Sequence, residues 1–166
     1  GHNYPKNLEK MSWPKIGVPQ TTRHLECFFD VAGAVCFNNV RVGGIGGIPE
    51  RVLWYVVAVL NHPVTDYVFR RFAKVKAGGY FEANKQFIEP LPIPIVTDDQ
   101  RDAIGVRAQC VQDLTTRCVR LELRGNGDGD NELIDEIKTL EGELRTVIYG
   151  LYDLTTDEIG IIESCD

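Results

Sequence analysis

The chain has few of the residues that build metal and redox sites. Its 166 residues include only three histidines, and its five cysteines are an odd number without CxxC spacing. A structural zinc site is therefore not expected, and this cysteine pattern favours a reducing cytoplasm. Cys27 and Cys36 flank a short turn, so a disulfide between them is conceivable, although two small buried thiols are the favoured interpretation.

Long apolar segments are missing as well. No stretch approaches the roughly 18 consecutive apolar residues that a membrane helix needs, and no basic start leads into an apolar signal region. We therefore expect neither a membrane span nor a secretory signal in this sequence. Because 43% of the residues are hydrophobic, the chain is nevertheless able to bury one core.

Two glycine-rich segments approach the patterns of ligand-binding loops without completing them. Residues 43–49 precede a predicted helix, where free amides favour an anion, but Pro49 takes the third glycine position of a dinucleotide loop and no Walker lysine follows. Residues 124–130 precede Asn131 and Ile137, which replace the turn glycine and the bidentate glutamate of a calcium loop. A flexible connection and a helix break are the favoured interpretations, and we expect no cofactor or metal in this chain.

The formal net charge of −6 is unevenly distributed. Residues 1–97 carry eleven basic and seven acidic side chains, whereas residues 98–166 carry seven basic and seventeen acidic ones. The two parts thus have net charges of +4 and −10. This change of sign predicts a domain boundary near residue 97, with the first part better suited to an anionic partner.

The first part has the pattern of a small mixed α/β domain. Residues 15–18 predict a strand that Pro19 ends or places at a sheet edge. Residues 26–29 and 34–37 flank a short turn and predict a β-hairpin. Two helices are predicted to follow Pro49. They are separated by a break at His62, for which a capping or turn role is favoured over catalysis.

Residues 78–96 are predicted to leave the domain as an extended strap. Two glycines permit a bend, and the aromatic pair Tyr80 and Phe81 is expected to anchor in the core. The alternating prolines that follow exclude a central strand. Their spacing predicts three apolar side chains on a common side, namely Leu91, Ile93 and Ile95.

The second part, residues 98–166, is predicted to be an antiparallel helical hairpin with a short closing helix. Capping boxes at residues 97–100 and 155–158 mark two helix starts. The apolar face predicted for the second long helix consists of Ile134, Ile137, Leu140, Leu144, Val147 and Leu151. The expected fold class is therefore α+β.

Several segments occur in an order that resembles a known family. They are PKI at 14–16, FD at 29–30, NNV at 38–40, VVAVLNHPV at 56–64, GGYFEANKQFIEPLPIP at 78–94 and the tail GLYDLTTDEIGIIE at 150–163. Together they resemble the TaqI-like C-terminal specificity domain, or target recognition domain, of adenine-N6 DNA methyltransferases and of fused type II restriction-modification enzymes. The resemblance covers most of the chain.

The resemblance implies that this chain reads a DNA target, while a separate N-terminal domain binds S-adenosylmethionine and transfers the methyl group. It also implies a fold related to the specificity subunits of type I restriction systems, where helical spacers follow the recognition domains. The family's catalytic tetrapeptide and cofactor loop are missing, and residues 61–64 are the nearest approach to the tetrapeptide. We therefore expect no enzymatic activity from this chain alone. Its expected partners are double-stranded DNA, the methyltransferase domain and, through the hairpin, a second copy.

Candidate DNA contacts follow from residue type and expected exposure. Lysine and arginine contact phosphates, whereas arginine or lysine on guanine and asparagine or glutamine on adenine discriminate bases. The candidate phosphate contacts are Lys15, Arg23, Arg70, Arg71, Lys74 and Lys76. The candidate base readers are Asn38, Asn39 and Arg41 at the end of the predicted hairpin, and Asn84, Lys85 and Gln86 within residues 78–96.

Two other functions stay open at this point. A protein-interaction or dimerisation module built on the helical hairpin explains the acidic charge without DNA binding. An enzyme of another type would use the glycine-rich loop and Tyr80. Because a net charge of −6 is unusual for an independent DNA binder, we expect the isolated chain to bind DNA weakly, with the hairpin directed away from it.

Overall fold

The computed structural model describes residues 8–35, 42–123 and 130–165. These residues form seven α-helices and two three-stranded antiparallel sheets, which confirms the predicted α+β fold. The strands are β1 (Lys15–Pro19), β2 (Thr21–Thr22), β3 (Phe28–Asp30), β4 (Val42–Gly46), β5 (Val75–Lys76) and β6 (Tyr80–Glu82). The helices are α1 (Leu8–Met11), α2 (Glu50–Leu60), α3 (Pro63–Phe72), α4 (Lys85–Ile88), α5 (Asp98–Glu122), α6 (Asp130–Leu151) and α7 (Thr156–Glu163).

The first sheet has the strand order β3-β1-β4. The predicted strand at residues 15–18 is confirmed as β1, which lies in the centre of the sheet. Ile16 stands opposite Phe29 of β3 and Ile45 of β4, and Ile16 and Phe29 are both buried. Pro19 ends the strand, as its missing amide donor requires.

A turn organised by Asp30 takes the place of the predicted second hairpin strand at Ala34 and Val35, while residues 36–37 of that strand lie outside the described residues. Among the described residues β3 pairs with β1, and neither Ala34 nor Val35 belongs to a strand. The amides of these two residues donate to the Asp30 carboxylate at 3.0 and 2.9 Å, and Lys15 Nζ donates to it at 2.7 Å. The carboxylate thus satisfies the turn amides that a second strand would otherwise have paired.

Two side-chain amides hydrogen-bond the edge of β3 that does not pair with β1. Asn61, at the end of α2, accepts a hydrogen bond from Cys27 N at 2.7 Å and donates one to Cys27 O at 2.8 Å. Gln112 of α5 makes the same pair of bonds with the backbone of Phe29, at 2.7 and 2.9 Å. Because Cys27 and Phe29 are two residues apart, their backbone groups point to the same edge. Two helices therefore occupy the position of another strand.

The two helices predicted after the glycine-rich loop are confirmed as α2 and α3. On α2, Leu53, Val57 and Leu60 are buried at helical spacing. Trp54 is buried too and packs edge-on against Phe29, with 4.6 Å between the ring centroids. Helix α2 thus forms the centre of the core, between the first sheet and α5.

His62 caps α3, as predicted, and also connects it to α6. Its Nδ1 accepts a hydrogen bond from Val64 N at 3.2 Å, and its Nε2 lies 3.0 Å from Arg145 O. These partners require the neutral tautomer that carries its proton on Nε2. Burial lowers the pKa of His62 to about 4, against the smaller opposing effect of the hydrogen bond to Arg145 O. The ring is therefore neutral at pH 7.

The strap is extended over residues 92–97 and is held by two tyrosine hydroxyls. Tyr55 of α2 donates to Pro94 O at 2.7 Å, and Tyr152, after α6, donates to Pro92 O at 2.7 Å. Proline carbonyls remain acceptors although proline has no amide donor. The strap is thereby attached to α2 and to the residue that follows α6.

The predicted common side of the strap is only partly confirmed. Leu91 is buried and Ile93 is half-buried, both in contact with the core, but Ile95 is fully exposed. The prediction is wrong at Ile95 because the segment pairs with no strand in the described chain. Its side chains therefore do not keep the alternation of a pleated sheet.

Both predicted capping boxes are confirmed, at Thr97 with Gln100 for α5 and at Thr155 with Glu158 for α7. Helices α5 and α6 pack against each other as the predicted antiparallel hairpin. On α6 the core position belongs to Ile148, whereas Val147, which the spacing had placed inside, is 43% exposed.

The base of the hairpin shares the core of the α/β part. Ile104 and Ala108 of α5 and Ile148 of α6 belong to one buried cluster with Ile16 and Leu53. The division into separate domains at residue 97 stays a prediction. No helix among the described residues is long and apolar enough to cross a membrane.

Candidate nucleic-acid interface

The second sheet, with the strand order β2-β6-β5, brings together separate segments of the chain. Thr22 of β2 and Val75 of β5 both stand opposite Phe81 of β6, and Lys76 stands opposite Tyr80. Side chains alternate between the two faces of a strand, so Tyr80 and Lys76 project from one face. Phe81 projects from the other face and packs against the core.

The exposed side of this sheet carries Arg23, Lys74, Lys76 and Tyr80, which we call the basic face. Arg23 follows β2, and its Cζ lies 4.9 Å from the centroid of the Tyr80 ring. Lys74 precedes β5 by one residue, and its carbonyl accepts a hydrogen bond from Glu82 N at 2.9 Å. All four side chains of the basic face are exposed. The prediction that Tyr80 anchors in the core is wrong, because the strand alternation gives that position to Phe81.

The cations of the basic face are not neutralised by acids in the described chain. Arg23, Lys74 and Lys76 take part in none of the ion pairs within 4 Å among these residues. Lys76 Nζ instead donates to a neutral hydroxyl, Thr21 Oγ1, at 3.1 Å. By alternation Glu82 lies on the same side, and its carboxylate accepts a hydrogen bond from Asn84 at 2.8 Å. The surface is therefore positive and suited to an anion.

Asp66 of α3 fixes the segment that carries Arg23. The buried Asp66 carboxylate accepts a hydrogen bond from Leu25 N at 2.8 Å. Its other oxygen lies 3.1 Å from His24 Nδ1 and 3.6 Å from Arg70 Nη1. Sequence reasoning missed this carboxylate because its partners on the loop lie about 40 positions away, beyond any local pattern.

Arg70 and Arg71 do not join the basic face. Arg70 Cζ lies 5.8 Å from the centroid of Phe81, on the opposite side of the sheet, and its Nη1 donates to Cys165 O at 3.0 Å. Arg71 Cζ lies 3.6 Å from the centroid of Tyr67. The candidate phosphate contacts within residues 70–76 are thus divided between two surfaces. Arg70 contacts Cys165, after α7, and Arg71 contacts Tyr67 of α3.

Lys15 has an internal role in place of the predicted phosphate contact. Its side chain is 7% exposed, and its Nζ donates to Asp30 Oδ2 at 2.7 Å and to Met11 O at 2.6 Å. Burial alone would raise the pKa of Asp30, but hydrogen bonds from Lys15 and from two backbone amides outweigh burial and hold this pKa below its usual value. Both members of the pair are charged, and the ammonium is not exposed to a ligand.

Asn84, Lys85 and Gln86 form the start of the short helix α4. Asn84 Oδ1 accepts a hydrogen bond from Gln86 N at 3.0 Å, and Asn84 Nδ2 donates to Glu82 at 2.8 Å. Both polar atoms of this amide are engaged, so the structure gives Asn84 a capping role. Lys85 and Gln86 are exposed and remain able to contact a ligand, with Lys85 Nζ 3.6 Å from Glu89.

The other three predicted base readers, Asn38, Asn39 and Arg41, lie outside the described residues. Their role stays a prediction. Cys36 lies outside them as well, while Cys27 is a free and buried thiol. Burial raises the pKa of Cys27 to about 12, so its thiol is protonated and unreactive at neutral pH.

A cleft of about 680 Å³ lies between the hairpin and the turn from α2 to α3. Part of its lining is apolar, as at Val57 and Leu144, and its buried polar side chains are already used. His62 bonds backbone at both ring nitrogens, and Gln112 bonds Phe29. No group of three or more His, Cys, Asp or Glu among the described residues could hold a metal ion. His62 and Gln112 thus already use their side-chain polar atoms in hydrogen bonds to the backbone of the described chain.

Neither a protein-family model nor a curated protein matches this chain. The resemblance to TaqI-like specificity domains rests on the order and spacing of the sequence segments quoted above. The basic face is independent of that resemblance, because it follows from strand register and side-chain exposure.

Proposed function

We propose that this chain is a DNA target-recognition domain that binds duplex DNA with the basic face. It acts together with a separate adenine-N6 methyltransferase domain in the cytoplasm. One observation carries the proposal: Arg23, Lys74, Lys76 and Tyr80 meet on one exposed surface without acidic ion-pair partners among the described residues. The local positive charge of this surface favours an anion although the whole chain is acidic.

The three cations of the basic face contact phosphates and set the position of the domain on the duplex. Each neutralised phosphate releases counterions and contributes about −0.9 to the slope of log K against log salt concentration. Arg23, Lys74 and Lys76 together therefore contribute about −2.7 to that slope. This contribution does not depend on the DNA sequence.

Stacking on Tyr80 prepares Arg23 for binding. A guanidinium that already rests on an aromatic ring loses less side-chain freedom when it binds than a free one. Its N–H edges stay available for phosphate oxygens, because the described chain engages only its face. Tyr80 thus contributes to affinity without needing to contact DNA.

Base reading is assigned to side chains outside the basic face. Lys85 and Gln86 are exposed at the start of α4, next to the asparagine that bonds Glu82. The second proposed group of readers consists of Asn38, Asn39 and Arg41. Each bidentate contact to a base contributes about 1–3 kcal/mol of discrimination.

Recognition and methyl transfer belong to different parts of the parent protein. S-adenosylmethionine is expected to bind the methyltransferase domain, and this chain supplies the target contacts. The net charge of −10 over residues 98–166 repels DNA and weakens binding by the isolated chain. Attachment to the methyltransferase domain is expected to restore the affinity.

Selection of bound duplexes from a randomised pool tests this function. The native chain is expected to enrich one short motif at low salt, and more weakly at about 150 mM salt, where charges are screened within about 8 Å. The triple variant Arg23→Ala, Lys74→Ala, Lys76→Ala is expected to retain much less duplex and to enrich no motif. A control triple variant, Arg51→Ala, Arg120→Ala, Lys138→Ala, removes the same charge elsewhere and is expected to keep the enriched motif.

Two outcomes contradict the proposal. One is the absence of any enriched motif, both for the chain alone and after addition of the methyltransferase domain. The other is equal loss of binding in the two triple variants, since that result would make net charge, and not the basic face, responsible for binding.

A further inference from the structure

The helical hairpin presents a second stripe of residues on each long helix, apart from the residues of both helices that line the cleft. Both stripes recur at intervals of three and four residues, the spacing of helices that pack in bundles. We call these residues together the outer face. They are Ala103, Arg107, Cys110, Leu114, Arg117 and Leu121 on α5, and Leu133, Glu136, Leu140, Glu143 and Val147 on α6.

The two stripes lie on the same side of the hairpin and are accessible. Arg107 Nε lies 3.1 Å from Glu143 Oε2, which connects the stripes. None of the outer-face residues is buried, and Val147 is 43% exposed. The neighbouring Val106 is 60% exposed. The cleft described above is lined by other residues of both helices, so the outer face is a separate surface.

The charges of the outer face differ between the two helices. Helix α5 contributes the cations Arg107 and Arg117, whereas α6 contributes the acids Glu136 and Glu143. Arg107 and Glu143 already form an ion pair within the chain. Arg117 and Glu136, by contrast, belong to no ion pair within 4 Å in the described part of the chain.

Two copies of the outer face can meet through either of two two-fold axes, and their charges are complementary under only one of them. A two-fold axis parallel to the helices places each α5 against the α6 of a second copy, so that cations face acids. A two-fold axis perpendicular to the helices, within the interface, places α5 against α5 and brings like charges together. Like charges disfavour the second arrangement, so the pattern selects the first.

We infer that the chain forms a two-fold dimer in which the outer faces of two hairpins meet as a four-helix bundle. The ion pair between Arg107 and Glu143 sets the relative height of the two antiparallel helices. By that register Arg117 is level with Leu133, within one helical turn of Glu136. Arg117 therefore pairs with the partner's Glu136, and the leucines of both stripes fill the centre between the two hairpins.

The size of the outer face indicates a reversible dimer. From residue 103 to residue 121 the α5 stripe is about 27 Å long, and two packed helices are roughly 20 Å wide. Each copy would therefore cover roughly 550 Å², or about 1,100 Å² in total, which is near the lower limit of specific interfaces. We expect a micromolar dissociation constant and, at about 100 µM chain, a mass approaching twice 18.6 kDa.

Charge reversal with complementation tests the dimer. In Arg117→Glu and in Glu136→Arg, both symmetry-related contacts become repulsive, so each variant is expected to weaken self-association by about tenfold or more. An equimolar mixture of the two variants restores both contacts and is expected to associate like the native chain. Arg120→Glu reverses the same charge on the same helix at the cleft, and is expected to leave association unchanged.

Sedimentation equilibrium over a concentration series measures all five samples, namely the native chain, the three single variants and the equimolar mixture, with circular dichroism as a check that each variant is folded. A native chain that sediments as a monomer at about 100 µM overturns the inference. A native dimer that resists Arg117→Glu, or a mixture that stays monomeric, assigns the contact to another surface and overturns it too. None of these readouts depends on DNA, so failure here leaves the proposed function standing.

Discussion

The α/β part and the outer half of the hairpin are held together by different means. In the α/β part, charged and titratable side chains are buried with partners far away in the sequence, namely Lys15, Asp30, His62 and Asp66. In the outer half of the hairpin, residues 109–122 and 131–147, Cys118 is the one buried side chain of the described chain. The first region is thus specified by individual long-range contacts. The second is specified by helix geometry and, in the inferred dimer, by the outer face of a second copy.

This difference bears on function. The proposed DNA contact requires side chains in fixed positions, and the Asp66 carboxylate fixes the segment that carries Arg23. An association surface with heptad spacing tolerates more variation, because its contacts are repeated along two helices. Substitutions are therefore expected to destabilise the α/β part strongly and the hairpin weakly.

The largest effect is expected at the ion pair of Lys15 and Asp30. Lys15→Met leaves a buried carboxylate without its cation and is expected to lower the free energy of unfolding by about 3–5 kcal/mol. Chemical denaturation followed by circular dichroism measures this change. The double variant with Asp30→Asn is expected to lose less than Lys15→Met alone. A loss below about 1 kcal/mol for the single variant would show that the pair is solvated.

A smaller effect is expected from His62 as the pH falls. Its folded pKa, about 4, is below the unfolded value near 6.5, so the unfolded chain binds the proton first. The contribution of His62 is complete above pH 6.5 and is lost progressively down to pH 4, amounting to roughly 3 kcal/mol. Unfolding free energies at several pH values, compared with those of His62→Asn, isolate this contribution. A pH profile that His62→Asn does not flatten would assign the acid sensitivity to other groups.

The next largest change in the free energy of unfolding is expected at the side-chain amides that bond the edge of β3. Gln112→Ala removes two hydrogen bonds and leaves the backbone N–H and C=O of Phe29 without them, so we expect a loss of about 2 kcal/mol. Gln109→Ala, one turn earlier on the exposed side of α5, is expected to change the unfolding free energy by less than about 0.5 kcal/mol. Equal effects at both positions would mean that water replaces the Gln112 amide.

The smallest effect comes from the same substitution made at two places in the hairpin, in its outer half and at the base that shares the core of the α/β part. Gly142 lies in α6 with nothing within 4 Å of an added Cβ, so Gly142→Ala is expected to stabilise the chain by about 0.5–1 kcal/mol through helix propensity. Gly105 faces α2, where an added Cβ would lie 3.2 Å from Trp54 Cβ. Gly105→Ala is therefore expected to lose that gain and to destabilise the chain by about 1 kcal/mol. Thermal denaturation compares the two variants, and a stabilising Gly105→Ala would show that α2 and α5 move apart easily.

Sequence reasoning succeeded where the cause of a structure is local. The capping boxes at Thr97 and Thr155 and the cap at His62 depend on residues within three positions, so their patterns predict them directly. It failed where distant residues decide. No residue near Lys15 or Gln112 in the sequence indicates that Asp30 and the backbone of Phe29 are their partners.

The candidate site shows the same limit. Residue type proposed Arg23, Lys74 and Lys76 as phosphate contacts, but it could not separate them from Arg70 and Arg71, which do not join the basic face. That separation follows from the register of three strands, two of which are only two residues long. Strand pairs this short have no periodicity of their own to be recognised.

The dependence of DNA affinity on salt tests the central claim most directly. Fluorescence anisotropy with one labelled duplex gives the slope of log K against log salt concentration for the native chain and for the two triple alanine variants. The basic face predicts that the variant at Arg23, Lys74 and Lys76 has a slope shallower by about 2.7, while the variant at Arg51, Arg120 and Lys138 keeps the native slope. Equal slopes for all three proteins would contradict the assignment of DNA binding to the basic face.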